Sequence, residues 1–457
     1  MKKDLIAGRL SRIALICMLA LVMPLLNSCK KESASTEDLL STVPSSAGVV
    51  VGVNVKSLLE KIGCKVDGME ITPGKEVSAW FESKKGDKAG LHDDLQIFMD
   101  GESGINPNAA VLFMDSYNYY LTVMIADTQK FMKFVEAKSG SKFEEADKGV
   151  QVCGNVAVKD AQAWVCVSSN NTIDAKAIAN YASLSEPRSF KSNSFAPNIA
   201  TMTADMVVWG DIKSIGDYNP QFQQALSMGM MTGLTFENPA SVAMTVDFLK
   251  GKAVLSSKIL NDKSEPAKAL LPMPKIDVET VKGLGTNADA IFAMSITKDV
   301  TKKVEKAVSS FGGMANQIME ILKPLDGTVA VAAGGDGDLG STLEGVVTTD
   351  GEPSRDFMTM LSQFGTTRID GKFVRFSKGA VSGGLDIAKV ADSFKGASVG
   401  FALNMKAREI MGENSVMNAL YLSGKPDGKS VDLEVTLETS DPSRNSLLTL
   451  LEMDAKK

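Results

Sequence analysis

The chain has a single histidine, His92, among 457 residues. Histidine is the side chain whose ordinary pKa suits proton transfer near neutrality, so histidine-based acid–base chemistry has almost nothing to draw on. His92 sits in Gly90-Leu91-His92-Asp93-Asp94. Adjacent residues point to different sides of a helix, so this run lacks the geometry of a nucleophile–base–acid triad, and its acidic residues suit a helix's first turn instead. Paired Cys-x-x-Cys and His-x-x-x-His spacings are missing, which argues against zinc. The glycine-rich nucleotide and phosphate-loop patterns are missing too. The loop 334–342 alternates Asp336 and Asp338 but lacks the later bidentate glutamate of a calcium hand, so it reads as a turn. No cofactor and no metal are expected.

Positive charge is also short. Lys and Arg number 49 against 55 Asp and Glu, for a net charge of −6. An acidic chain without basic clusters does not fit nucleic acid or electrostatic docking on anionic lipid. Cysteines number five: Cys17, Cys29, Cys64, Cys153 and Cys166. Three in the body do not make a disulfide framework of the small-secreted-domain kind. Cys64 follows an apolar helix pattern and is expected to be buried. Beyond the N-terminus, no apolar run approaches the roughly 20 residues of a spanning helix.

What is present begins at that N-terminus. Lys2, Lys3, Arg9 and Arg12 precede the apolar run Ile13 to Leu26, and Asn27-Ser28-Cys29 follows. This order is a secretory signal peptide, too short and wrongly flanked to span a bilayer. Leu25-Leu26-Asn27-Ser28-Cys29 resembles a bacterial lipobox. The resemblance implies cleavage before Cys29, diacylglycerol on its thiol and an acyl chain such as palmitate on its amino group. Several acyl chains on one residue make a stable anchor. Residues 1–28 are therefore the signal peptide, and 29–43, rich in Ser, Thr, Glu and Lys, read as a polar tether.

The body opens with the apolar strand Ala47 to Asn54, running into a helix pattern at Val55. Related units recur at 206–215, 290–299 and 398–407, with Asp211, Ser295 and Asn404 at the position of Asn54. Asn, Asp and Ser accept hydrogen bonds from the free N–H groups of a first helical turn, so all four positions read as N-caps. Two-strand patterns at 241–260 and 417–437 close each set. Strands 109–115 and 119–126 lead into a helix at 127–138, and strands 327–333 and 342–349 lead into one at 353–364. The expected architecture is α+β: two diverged repeat halves at 44–262 and 286–457, each a mixed or largely antiparallel sheet with helices. A proline-containing connector at 263–285 joins them, and a C-terminal helix follows Asp441.

The lipobox-like ending, the opening 44–63 and the paired strand–helix units resemble an uncharacterised lipoprotein family of Bacteroidota-type Gram-negative bacteria, catalogued only as a domain of unknown function. That resemblance implies an outer-membrane lipoprotein of the cell envelope and transfers no active-site residues.

Two functions fit. One is a lipid-anchored binding or structural lipoprotein, held to the membrane through Cys29, with an envelope protein or a glycan as partner and no nucleic acid. The other is an envelope hydrolase using dispersed carboxylates or a Ser/Lys pair. Tyr117, Tyr119 and Tyr120, at a predicted hairpin turn, form a candidate interaction surface, though packing within the hairpin explains them as simply. Cys153 and Cys166 form a candidate disulfide. If Lys159-Asp160 is a hairpin turn, the two cysteines face each other. Gly154-Asn155 is a rival turn that would put them on different strand pairs.

Overall fold

The structure is a computed structural model that describes residues 36–67, 70–82, 97, 99–116, 118–167, 173–218, 236–285, 287–308, 319–335, 340–407, 410–411 and 415–455. The fold is α+β, with antiparallel pairing at every ladder given below and several helices. Two compact units account for the chain. The first draws on Met1–Tyr218, Thr245–Leu249 and Leu447–Lys457, and the second on Asn219–Met244 and Lys250–Ser446. Neither unit is one contiguous stretch, unlike the expected halves 44–262 and 286–457.

In the first unit the described elements are α1 (Thr36–Leu40), β1 (Val49–Val53), α2 (Val55–Lys61), β2 (Lys65–Asp67), β3 (Glu70–Thr72) and α3 (Lys75–Glu82). Then come β4 (Ile105–Asp115), β5 (Asn118–Ile125), α4 (Thr128–Ser139), β6 (Glu144–Glu145), β7 (Gln151–Cys153), β8 (Val156–Lys159) and β9 (Gln162–Cys166). Helices α5 (Ala175–Tyr181) and α6 (Ala196–Thr201), strand β10 (Met206–Asp211) and helix α7 (Ile212–Tyr218) follow. Strands β10, β1, β4, β5, β9, β8, β7 and β6 pair in that order.

Directly paired residues of antiparallel strands share a face. Trp209, Val50, Phe113, Tyr120 and Cys166 are thus one row across five strands. All five are buried. Helix α6 closes on this face at Gly52, where a side-chain carbon would sit 2.5 Å from Ile199 Cγ2. Helix α1 lies against β4, β5 and α6.

That helix corrects the expected tether. Residues 29–43 read as polar, yet Leu39, Leu40 and Val43 are wholly buried and Thr36 nearly so. The three apolar side chains in an otherwise hydrophilic stretch have a core to enter, and Thr36–Leu40 is helical.

The second unit begins in β11 (Ser241–Leu249), which it shares with the first, and continues through β12 (Lys252–Leu260), α8 (Val278–Lys282), β13 (Ala290–Ile296), α9 (Lys298–Val308) and β14 (Leu325–Gly334). Next are β15 (Thr342–Thr349), α10 (Arg355–Ser362), β16 (Thr366–Asp370), β17 (Phe373–Lys378) and α11 (Ile387–Ser393). Strands β18 (Val399–Asn404), β19 (Met417–Asp427) and β20 (Ser430–Thr439) follow, and then α12 (Ser446–Ala455), which falls almost entirely with the first unit. Strands β12, β20, β19, β18, β13, β14, β15, β17 and β16 pair in that order.

One face of this sheet carries small side chains, Ala293, Ala330, Ala332 and Ala402. They form a buried core with Val281, Leu284, Val390 and Phe394 from in and around α8 and α11. Gly400 belongs to the same logic: a side chain there would meet the Phe394 ring at 2.5 Å. Helix α8 therefore makes the end of the expected 263–285 connector part of a core.

The capping expectations divide. Asn54 Oδ1 accepts the Ser57 N–H at 3.0 Å, and Asp211 Oδ1 accepts the Ser214 N–H at 2.7 Å. Ser295 is instead a buried strand residue of β13. Its helix starts later, at Lys298, whose N–H goes to Asp326 Oδ1 at 3.2 Å. Asn404 accepts from the Lys406 N–H at 3.1 Å, but a turn follows there, not a helix.

Candidate functional site

Cys29, Tyr117, His92, Asp336 and Asp338 lie outside the described residues. The remaining sequence-derived site residues fall in the first unit, and the structure separates them.

The candidate disulfide is a correction. Cys153 and Cys166 are both free and buried. Of the two rival turns, Gly154-Asn155 forms and Lys159-Asp160 does not, and a second turn one residue later gives a three-stranded meander. Gly154-Asn155 joins β7 to β8, with Cys153 opposite Val156. The second turn is Asp160-Ala161, one residue later than Lys159-Asp160, so Val158 faces Ala163 and Val156 faces Val165. Strand β8 therefore lies between the cysteines. Cys166 pairs with Tyr120 of β5, and Cys153 Sγ lies 3.1 Å from Ser139 Oγ. Glycine at the first turn position, with φ of 62°, is the feature that secures the Gly154-Asn155 turn. Cys64 is free and buried as well, and burial pushes its thiol up to about 11.

The tyrosine cluster splits. Tyr119 is 42% exposed, whereas Tyr120 is 2% exposed and belongs to the core. The Tyr120 ring stacks on Phe113 at 5.3 Å, and both meet Tyr181 of α5 edge-on, at 5.6 and 5.5 Å. Tyr181 Oη donates to Asp115 Oδ2 at 2.6 Å, and Ser46 Oγ reaches Asp115 Oδ1 at 3.4 Å. Burial pushes the Tyr120 hydroxyl up to about 12, with Cys166, Asp174 and Asp115 adding to it. Burial also raises Tyr181, helped by its bond to Asp115. A hydroxyl so held stays protonated and donates: a packing role. Tyr120 therefore leaves the candidate interaction surface.

A Ser/Lys pair does exist, and sequence reading did not single it out. Ser57 and Lys61 are one turn apart on α2. Both point at Asp205, which is 0% exposed. Ser57 Oγ donates to Asp205 Oδ1 at 2.8 Å, and Lys61 Nζ donates to Asp205 Oδ2 at 2.8 Å and to Asp247 Oδ1 at 3.3 Å. In a serine–lysine nucleophile the hydroxyl would donate to the amine. Here both donate to a carboxylate, so the geometry is that of a partly exposed ion-pair network around one buried carboxylate. Among the described residues, no group of three or more His, Cys, Asp or Glu is placed to hold a metal ion.

The second unit presents a surface that sequence reading also missed. Val331, Phe292, Phe401, Leu422, Val435 and Leu255 are directly paired across β14, β13, β18, β19, β20 and β12. Phe292 is 37% exposed and the other five are half-buried. On the opposite face of these strands, Ile291, Ala293, Ala330, Ala332 and Ala402 are buried. Alternation along a strand usually puts polar side chains on the open face. Here that face carries aliphatic and aromatic ones: Val331, at one end of the row, packs against the buried core of Phe357, Leu361, Val374 and Phe376, and Phe292 is the exposed member.

No helix among the described residues is long and apolar enough to cross a membrane. No known family profile matches the chain, and no curated protein matches it. Among solved structures, crystal form I of TP0453 is similar at 9% identity and a TM-score of 0.29, over 79% of this chain and 97% of that one. Crystal form III of TP0453 gives 8% identity and a TM-score of 0.28, over 77% and 96%.

Proposed function

We propose that this chain is a lipid-anchored lipoprotein of the outer membrane, belonging to the family it resembles, which binds an envelope protein through the second unit. The anchor rests on the basic start, the short apolar run and the LLNSC ending at Cys29. The binding role rests on one observation, the half-exposed apolar row around Phe292. Large apolar patches on a folded surface mark sites of contact with other molecules. A row of aliphatic and phenyl side chains offers no hydrogen bonds, which suits a protein surface better than a glycan. Six residues separate Cys29 from Thr36, a reach of at most about 25 Å.

The test is a photoreactive residue at Phe292, with Ile369, 47% exposed, as the comparison site in the same native envelopes. One predominant protein adduct is expected from position 292 and not from 369. Equal labelling from both positions, or none from 292, would contradict the binding role.

We also infer that the two units descend from a duplicated half. In one, β1 lies between β10 and β4, with β5 and β9 beyond. In the other, β13 lies between β18 and β14, with β15 and β17 beyond. The registers agree as well. The Asp211 N–H donates to the Gly48 carbonyl at 2.8 Å, and the Asn404 N–H to the Asp289 carbonyl at 2.7 Å. The Asn54 N–H meets the Asp205 carbonyl at 2.9 Å, and the Ser295 N–H the Ser398 carbonyl at 3.0 Å. This alignment makes Val51–Val208 equivalent to Phe292–Phe401. Both pairs fall between hydrogen-bonded positions, where Cα atoms are about 4.5 Å apart. Val51→Cys with Val208→Cys, and Phe292→Cys with Phe401→Cys, should each crosslink on oxidation. Failure of either pair would remove the equivalence.

A further inference from the structure

Asp205 is wholly buried and accepts three hydrogen bonds through its carboxylate. Two come from α2, Ser57 Oγ and Lys61 Nζ. The third is the backbone N–H of Phe248, at 2.7 Å to Oδ2. Lys61 also reaches Asp247, the neighbour of Phe248, at 3.3 Å. So one lysine and one carboxylate hold two consecutive residues of β11. Residues Thr245–Leu249 are the only part of that strand grouped with the first unit. The chain before them, through Met244, and after them, from Lys250, belongs to the second.

We propose that the Lys61–Asp205 pair is a register latch that fixes which residues of β11 belong to the first unit. A slip of one residue in a strand turns every side chain to the other face, and apolar alternation resists it only where one face is well buried. Along β11, Ala243 to Asp247 are all half-buried. Burial therefore discriminates poorly between registers in this strand. The latch supplies what burial does not: one residue's N–H meets the buried carboxylate, and the preceding residue's carboxylate meets the lysine. A shift by one residue would take the Phe248 N–H away from the buried Asp205 carboxylate and Asp247 away from Lys61, while the Lys61–Asp205 pair itself stays in place. Buried ion pairs are weak sources of net stability, and register specification is their best-attested use. In the aligned second half the position of Asp205 is Ser398, whose buried hydroxyl has no hydrogen-bond partner while its backbone N–H joins the ladder at Gly424. The device belongs to the first half alone.

Amide hydrogen exchange on the full chain tests this, because the Phe248 N–H is itself one of the latch bonds. Lys61→Met keeps the Phe248 acceptor and much of the lysine's apolar stem but removes the cation. It should speed exchange at 245–249 by at least about tenfold relative to Val50 and Val111, deep in the same sheet. Asp205→Asn, which keeps the shape of the acceptor, should have the same local effect. If the Asp205 variant does not fold, Lys61→Met decides alone. Unchanged exchange at Phe248 would overturn the latch. So would a uniform acceleration across β1, β4 and β10, because the pair would then only stabilise the unit as a whole.

Discussion

Cys29→Ala should move the protein out of the membrane pellet, with at least about a tenfold fall in the share that survives a carbonate wash. The reasoning is one of lengths and chain counts. A single acyl chain binds a bilayer marginally, and two or more bind stably, so under the proposed acylation of Cys29 its replacement removes the anchor outright. No helix among the described residues is long and apolar enough to replace it. The apolar run Ile13 to Leu26 is shorter than a bilayer span, and the net charge of −6 does not favour anionic headgroups. A Cys29→Ala protein that still pellets after the wash would mean that something other than lipid holds it.

The second large effect is on stability. Phe113→Ala should cost the first unit about 3–5 kcal/mol, the usual range for deleting a buried ring that its neighbours cannot replace. Phe113 is wholly buried and touches both Tyr120 and Tyr181, so its loss strips two ring contacts and leaves a cavity at the middle of the five-strand row. All three tryptophans of the chain, Trp80, Trp164 and Trp209, belong to this unit, so tryptophan fluorescence reports its unfolding selectively. With a urea slope of about 1–3 kcal/mol/M, the fluorescence midpoint should fall by about 1–5 M. An unmoved midpoint would mean that these aromatic rings are not the core of the unit.

Local signals in the sequence carried most of the secondary structure. Asp127 and Ser354 cap α4 and α10 through side-chain bonds to Lys130 and Phe357, as residues of those types before apolar helix patterns suggest. Strand β15 runs from Thr342 to Thr349, the span its sequence alone indicates. The failures share a cause. Ser295, like Asn54, ends an apolar strand before a helix pattern, yet the Lys298 N–H at the start of the next helix goes to Asp326, a residue that lies far along the chain and is brought near by the fold. The hairpin of the two cysteines was misread by one residue because Lys159-Asp160 and Asp160-Ala161 look alike as turns. That single step decides which residues face each other.

The site-level chemistry was the least legible, for a related reason. Asp205 lies 148 residues from Ser57 and 144 from Lys61, and Lys61 lies 186 from Asp247. No spacing rule joins residues that far apart. Tyr181 and Asp115, 66 apart, are a milder case. The apolar row in the second unit is invisible for another reason: each strand contributes one or two ordinary apolar residues, and only the register aligns Phe292 with Phe401 and Leu422.

The most direct measurement of the central claim is the mass of the N-terminal peptide from protein purified out of native envelopes. The account predicts a peptide that begins at Cys29, carrying diacylglycerol on the thiol and an acyl chain on the amino group. A peptide that begins at Met1, or one that starts at Cys29 or beyond without lipid, would contradict it.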